Sequence, residues 1–90
     1  MKYKVTITPK ALKQLSKLDK YTQLIIRGWI NKNLQDCENP RAHGKALKGN
    51  LQGLWRYRIA DYRIIALIRD EDILIEVMEV GHRKEIYEKN

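Results

Sequence analysis

Much is missing from this chain of 90 residues, and each absence closes a class of function. There is one cysteine, Cys37, so no internal disulfide can form, and a reduced, cytoplasmic setting follows most simply. Two histidines, His43 and His82, lie far apart; with a single thiol they do not supply zinc-ligand spacing, and no metal or other cofactor is expected. No glycine-rich phosphate loop and no Ser-His-Asp grouping can be found. No apolar run approaches the ~20 residues that span a bilayer, so no membrane role is expected. The first residues alternate like a strand, unlike a signal peptide. Internal repeats and low-complexity tracts are absent. Acidic residues are comparatively few: 11 Asp and Glu face 18 Lys and Arg, a net charge of +7. That balance favours an anionic partner.

What is present suits one small folded domain over residues 1–90 with a single core. Lys2 to Thr8 alternates Tyr3, Val5 and Ile7 against Lys2, Lys4 and Thr6, the pattern of a strand with one face inward. Thr8-Pro9 is a good helix start, and Ala11, Leu15 and Leu18 form the stripe that follows. Asp19 can cap a second helix running to about Cys37, with a core stripe of Ile26, Trp29, Ile30, Leu34 and Cys37. Gly28 within it costs about 1 kcal/mol against alanine, which close packing against a neighbour would explain. Asn39-Pro40 opens a polar loop.

Residues 54–69 organise the remainder. The spacing predicts two strands joined by a tight turn at Ala60-Asp61. In the first, Trp55, Tyr57 and Ile59 point one way and Leu54, Arg56 and Arg58 the other. The second, Tyr62 to Ile68, is apolar on both faces and therefore central in the sheet. An acidic turn follows, then a strand from Ile73 to Val80, with Ile73, Ile75 and Val77 on one face, and Leu74, Met78 and Val80 on the other. Gly81 is expected to break it. The order is β-α-α-β-β-β: an α+β domain with a helical hairpin packed on a mostly antiparallel sheet.

If Ile59 pairs with Tyr62, Arg58 stands opposite Arg63 and Arg56 opposite Ile65 on one face. Opposed like charges destabilise a strand pair. At about 4 Å and an effective dielectric near 20 the bare repulsion is on the order of 4 kcal/mol. Either the side chains splay into water or an anion sits between them. Arg56, Arg58, Arg63 and Arg83, with Lys45 and Lys48 nearby and Tyr87 and His82 beside them, make a minimal kit for holding RNA. Guanidinium groups bind phosphate bidentately and an aromatic ring stacks on a base.

Four stretches together resemble the RelE/ParE superfamily of toxins, on the RelE side. They are Ala11-Leu12-Lys13-Gln14-Leu15 through Leu18-Asp19, Leu47-Lys48-Gly49, Leu54-Trp55-Arg56-Tyr57-Arg58-Ile59 with Asp61-Tyr62-Arg63, and Val80-Gly81-His82-Arg83-Lys84-Glu85-Ile86-Tyr87. The resemblance implies the toxin of a type II toxin-antitoxin system. It further implies a ribosome-dependent endoribonuclease that cuts mRNA by attack of the ribose 2′-hydroxyl on the adjacent phosphate, without metal. Its partners would be the ribosome, mRNA and an antitoxin whose acidic segment masks the arginine face. Carried over by position, Arg56, Arg58, Arg63, Arg83 and Tyr87 are the catalytic set, and Lys48 is a supporting phosphate contact. Lys45 and His82 join Lys48 as RNA-binding candidates by nearness in sequence.

One departure matters. Well-known RelE toxins carry lysines at the positions of Arg56 and Arg58. A lysine can be made to give up its proton; an arginine effectively cannot, so neither is a credible general base. Tyr87 becomes the leading candidate and His82 the second. Arg83 would stabilise charge on the phosphate or leaving oxygen. The alternatives are a ParE-like toxin that inhibits DNA gyrase, and an RNA-binding domain that does not cleave.

Overall fold

The computed structural model describes residues 1–82. The chain runs β1 (Lys4–Ile7), α1 (Pro9–Ser16), α2 (Lys20–Asn33), β2 (Lys45–Ala46), β3 (Trp55–Ile59), β4 (Tyr62–Arg69) and β5 (Leu74–His82). Both helix starts follow from their caps. The Thr8 hydroxyl accepts from the Ala11 amide, with Pro9 at the first helical position, and the Asp19 carboxylate accepts from the Thr22 amide. Hydrogen bonds from Thr22 are also what hold Asp19 below the usual carboxylate range.

The strands form one sheet in the order β1-β5-β4-β3-β2. Among the described residues only β1 and β5 pair in parallel; the other ladders are antiparallel. The apolar strand β4 is central, as its two-faced hydrophobicity requires. Its register with β3 pairs Ile59 with Tyr62, Arg58 with Arg63 and Arg56 with Ile65. The connecting two-residue turn carries a positive φ at Ala60 (53°) and not at Asp61.

Helices α1 and α2 cover one face. Ala11, Leu15, Ile26, Ile30 and Leu34 pack there on Tyr57, Ile59, Ile64, Ala66, Ile75, Val77 and Val80. Trp29 and Trp55 are half-buried against this core.

Several expectations need correction. The strand expected to begin at Leu54 begins at Trp55. A short strand, β2, was not anticipated; two residues carry no readable alternation. The second helix stops at Asn33, not near Cys37. The backbone beyond it is spent on β1: Tyr3 donates its amide to the Cys37 carbonyl and its own carbonyl accepts from Asp36. Asp36 turns the chain with φ 63° and its carboxylate pairs with the Lys4 ammonium. Cys37 is thus half-buried in a loop, where burial pushes its thiol up and away from reactivity. Gly28 is exposed, and a Cβ there would meet nothing within 4 Å, so close packing does not explain it. Ile73 precedes β5, with φ 52°. Gly81 does not break β5 but pairs with Arg63 inside it. Finally, the register shifts between Ile65 and Ala66, whose partners are Glu79 and Val77, leaving Met78 as the extra residue of a bulge. That bulge returns Val80 to the same face as Ile75 and Val77.

Candidate nucleic-acid interface

The sheet face away from the helices carries the cations. Because side chains alternate along each strand, the register alone sorts them into rows. One row crosses Arg58, Arg63 and Gly81; the next crosses Lys45, Arg56, Ile65 and Glu79. Arg58 is exposed, while Arg63, on the central strand, is only 4% accessible. Burying a guanidinium is costly unless it is compensated, and Arg63 is the buried charged side chain among the described residues. Gly81, its partner on β5, contributes no side chain beside it.

Glu79 escaped the sequence reading. Among the described residues it is the one acid placed in these two rows, and the Lys10 ammonium approaches it to 3.6 Å. The missing signal was the bulge, since uninterrupted alternation would place Glu79 on the covered face.

His82 is not on this face. Paired with Tyr62, it lies on the helix side, its ring meeting Tyr62 edge-on at 5.6 Å. Lys45 joins the arginine face through β2, whereas Lys48 precedes a short 3-10 turn (Gly49–Leu51) and is exposed outside the sheet. Arg83 and Tyr87 fall outside the described residues. Among the described residues no group of three or more His, Cys, Asp or Glu could hold a metal ion. None of their helices is long and apolar enough to cross a membrane.

Residues 34–44 run from the end of α2 to β2 at the edge of the sheet. The Tyr57 hydroxyl donates to the Pro40 carbonyl at 2.6 Å, and the Trp55 indole to the His43 carbonyl at 2.6 Å. Trp29 packs on both His43 and Tyr57. Arg41 makes a two-pronged contact with Asp70 at 3.0 and 2.9 Å, and the Tyr3 hydroxyl also donates to Asp70. These bonds hold the Asp70 carboxyl below its usual range. Burial pushes the Tyr57 phenol far above its ordinary value, so it stays a neutral donor.

Comparison with known proteins now bears on this arrangement. A family profile described as ParE toxin of type II toxin-antitoxin system, parDE, matches residues 5–87. The chain belongs to the RelE/ParE toxin superfamily. The Mycobacterium tuberculosis protein named Toxin RelE is 30% identical over 88 residues, spanning 98% of this chain and 89% of the relative. Among solved structures, a toxin–antitoxin complex, RelBE, from M. tuberculosis aligns with TM-score 0.83 and 28% identity, covering 92% of this chain and 100% of that one. The archaeal RelE–RelB complex from Pyrococcus horikoshii aligns with TM-score 0.69 and 26% identity, covering 92% and 97%. The protein is therefore a toxin of a type II toxin-antitoxin system, of the RelE family, and its helical hairpin on a five-stranded mixed sheet is the RelE fold.

Proposed function

We propose that this RelE-family toxin is a metal-independent, ribosome-dependent endoribonuclease acting on mRNA. The observation that carries the reading is the clustering of basic residues by strand register: Arg58 is paired with Arg63, and Lys45 with Arg56 in the next row. A scissile phosphate bound on this face accepts donors from the cluster. The ribose 2′-hydroxyl loses its proton to a base and attacks phosphorus. The bond to the 5′-oxygen breaks, leaving a cyclic phosphate and a 5′-hydroxyl that takes up a proton. Tyr87 is the proposed base and Arg83 the further stabiliser of phosphate charge. His82, on the other face, has no part in the proposed step. The ribosome orients the substrate, a contribution that can reach about 7 kcal/mol or more. The partner that silences the toxin is an antitoxin whose acidic segment covers the arginine face.

Purified protein incubated with programmed ribosomes, followed by mapping of new mRNA 5′ ends, tests the reading. New ends at defined codons support it. A second reading draws on the ParE description of the matching profile: inhibition of DNA gyrase through protein contact. It predicts a DNA-damage response without new mRNA ends. Ribosome binding without new ends would instead indicate an RNA-binding domain that does not cut.

A further inference from the structure

Strand β2 is too short to hold its own place. A pair of two residues is far below the length that gives a stable ladder, yet it sets Lys45 against Arg56 on the cation face. What fixes β2 is the loop before it, and the decisive point is Gly44. Its φ is 79°, and a Cβ there would lie 2.1 Å from the Arg56 carbonyl oxygen, 2.8 Å from the Trp55 indole nitrogen and 3.0 Å from the Tyr57 ring. Only a residue without a side chain can take that backbone shape and pass so close. Immediately before it, the His43 carbonyl is gripped by Trp55; four residues earlier, the Pro40 carbonyl is gripped by Tyr57. Both grips come from side chains of β3 that point to the core, whereas Arg56 between them lies on the opposite, cation-bearing face. One strand therefore holds the loop with alternate residues and presents the site with the others.

We infer that residues 40–44 form a positioning strap, anchored by Trp55 and Tyr57 and seated through Gly44, whose role is to set Lys45 beside Arg56 as a phosphate contact. Trp55 and Gly44 are positioning residues; they act through Lys45. The inference rests on the proposal that the cation-bearing face takes RNA.

A double-mutant cycle tests it on the full chain. Trp55→Phe keeps a ring and removes the indole donor; Lys45→Ala removes the proposed contact. The probes are a short single-stranded RNA, read as binding affinity, and mRNA on programmed ribosomes, read as KM and kcat. Each single variant is expected to weaken binding and raise KM about 5-fold, with kcat within about 2-fold of wild type. The double variant should be no worse than Lys45→Ala, since the strap acts through that lysine. Amide exchange at Lys45 and Leu47, the residues whose amides face β3, should quicken in Trp55→Phe and stay slow in Lys45→Ala. Multiplying effects in the double variant, or a Lys45→Ala protein that binds and cuts as wild type does, overturns the inference while leaving the RNA reading intact. A wild-type chain that binds neither probe overturns that reading, and the inference with it.

Discussion

Arg58 and Arg63 face each other across the β3–β4 ladder, one exposed and the other 4% accessible. Their difference in burial divides their expected behaviour. Replacing exposed Arg58 with alanine should change stability by no more than about 0.5 kcal/mol, and relief of repulsion can raise it. Arg63→Ala removes a long stem packed on the central strand and should cost about 1–3 kcal/mol. Both should slow single-turnover mRNA cleavage on ribosomes about 10²-fold or more, because each removes a donor aimed at the phosphate. Thermal midpoints measured beside the rates separate the two effects. An Arg58→Ala protein that cuts at the wild-type rate would refute the site assignment.

Two backbone substitutions should each stabilise the fold. Gly28 is exposed inside α2 with open space around it, so Gly28→Ala should gain up to about 1 kcal/mol. Ala60 bears a positive φ that glycine takes without steric cost, so Ala60→Gly should gain about 0.5–1 kcal/mol. Urea unfolding measures both. A loss of stability in Gly28→Ala would mean that something packs on that face of α2.

Tyr57 links the strap to alkaline stability. Its folded pKa is raised by burial, so its contribution is fully present below the unfolded value near 10 and is lost as pH rises from there toward the folded value. Tyr57→Phe should flatten that alkaline decline while costing about 1 kcal/mol at neutral pH through the lost bond to the Pro40 carbonyl. Unfolding curves for both proteins between pH 7 and about pH 11 provide the check; parallel declines would contradict it.

Asp70 does the opposite at low pH. Its folded pKa is depressed by Arg41 and Tyr3, so its contribution is present above the unfolded value and is lost as pH falls through the folded one. Asp70→Asn should flatten the acid limb. An unaltered acid limb would show that the exposed cluster contributes nothing measurable.

These expectations show where the sequence was readable. Long, regular patterns carried over directly: the caps at Thr8 and Asp19, the apolar run of β4, and the alternation that sets Arg58 against Arg63. Features made by one irregular residue did not. The Met78 bulge reverses the facing of everything after it in β5, which hid Glu79 and misplaced His82. The early end of α2 is set by backbone bonds to Tyr3, over 30 positions away in sequence. The strap depends on Gly44 approaching a strand it precedes by more than ten residues, and a lone glycine in a polar loop carries no sign of that. For the catalytic assignment, Arg83 and Tyr87 rest on family resemblance and lie outside the described residues.

The most direct test of the central claim is 5′-end mapping of mRNA on programmed ribosomes, with wild type and Arg58→Ala side by side and naked mRNA as the control. New ends at defined codons, bearing 5′-hydroxyls, made by wild type only on ribosomes and about 10²-fold more slowly by Arg58→Ala, are the predicted result. Absence of new ends with wild type, or rapid and specific cutting of naked mRNA, would contradict the account.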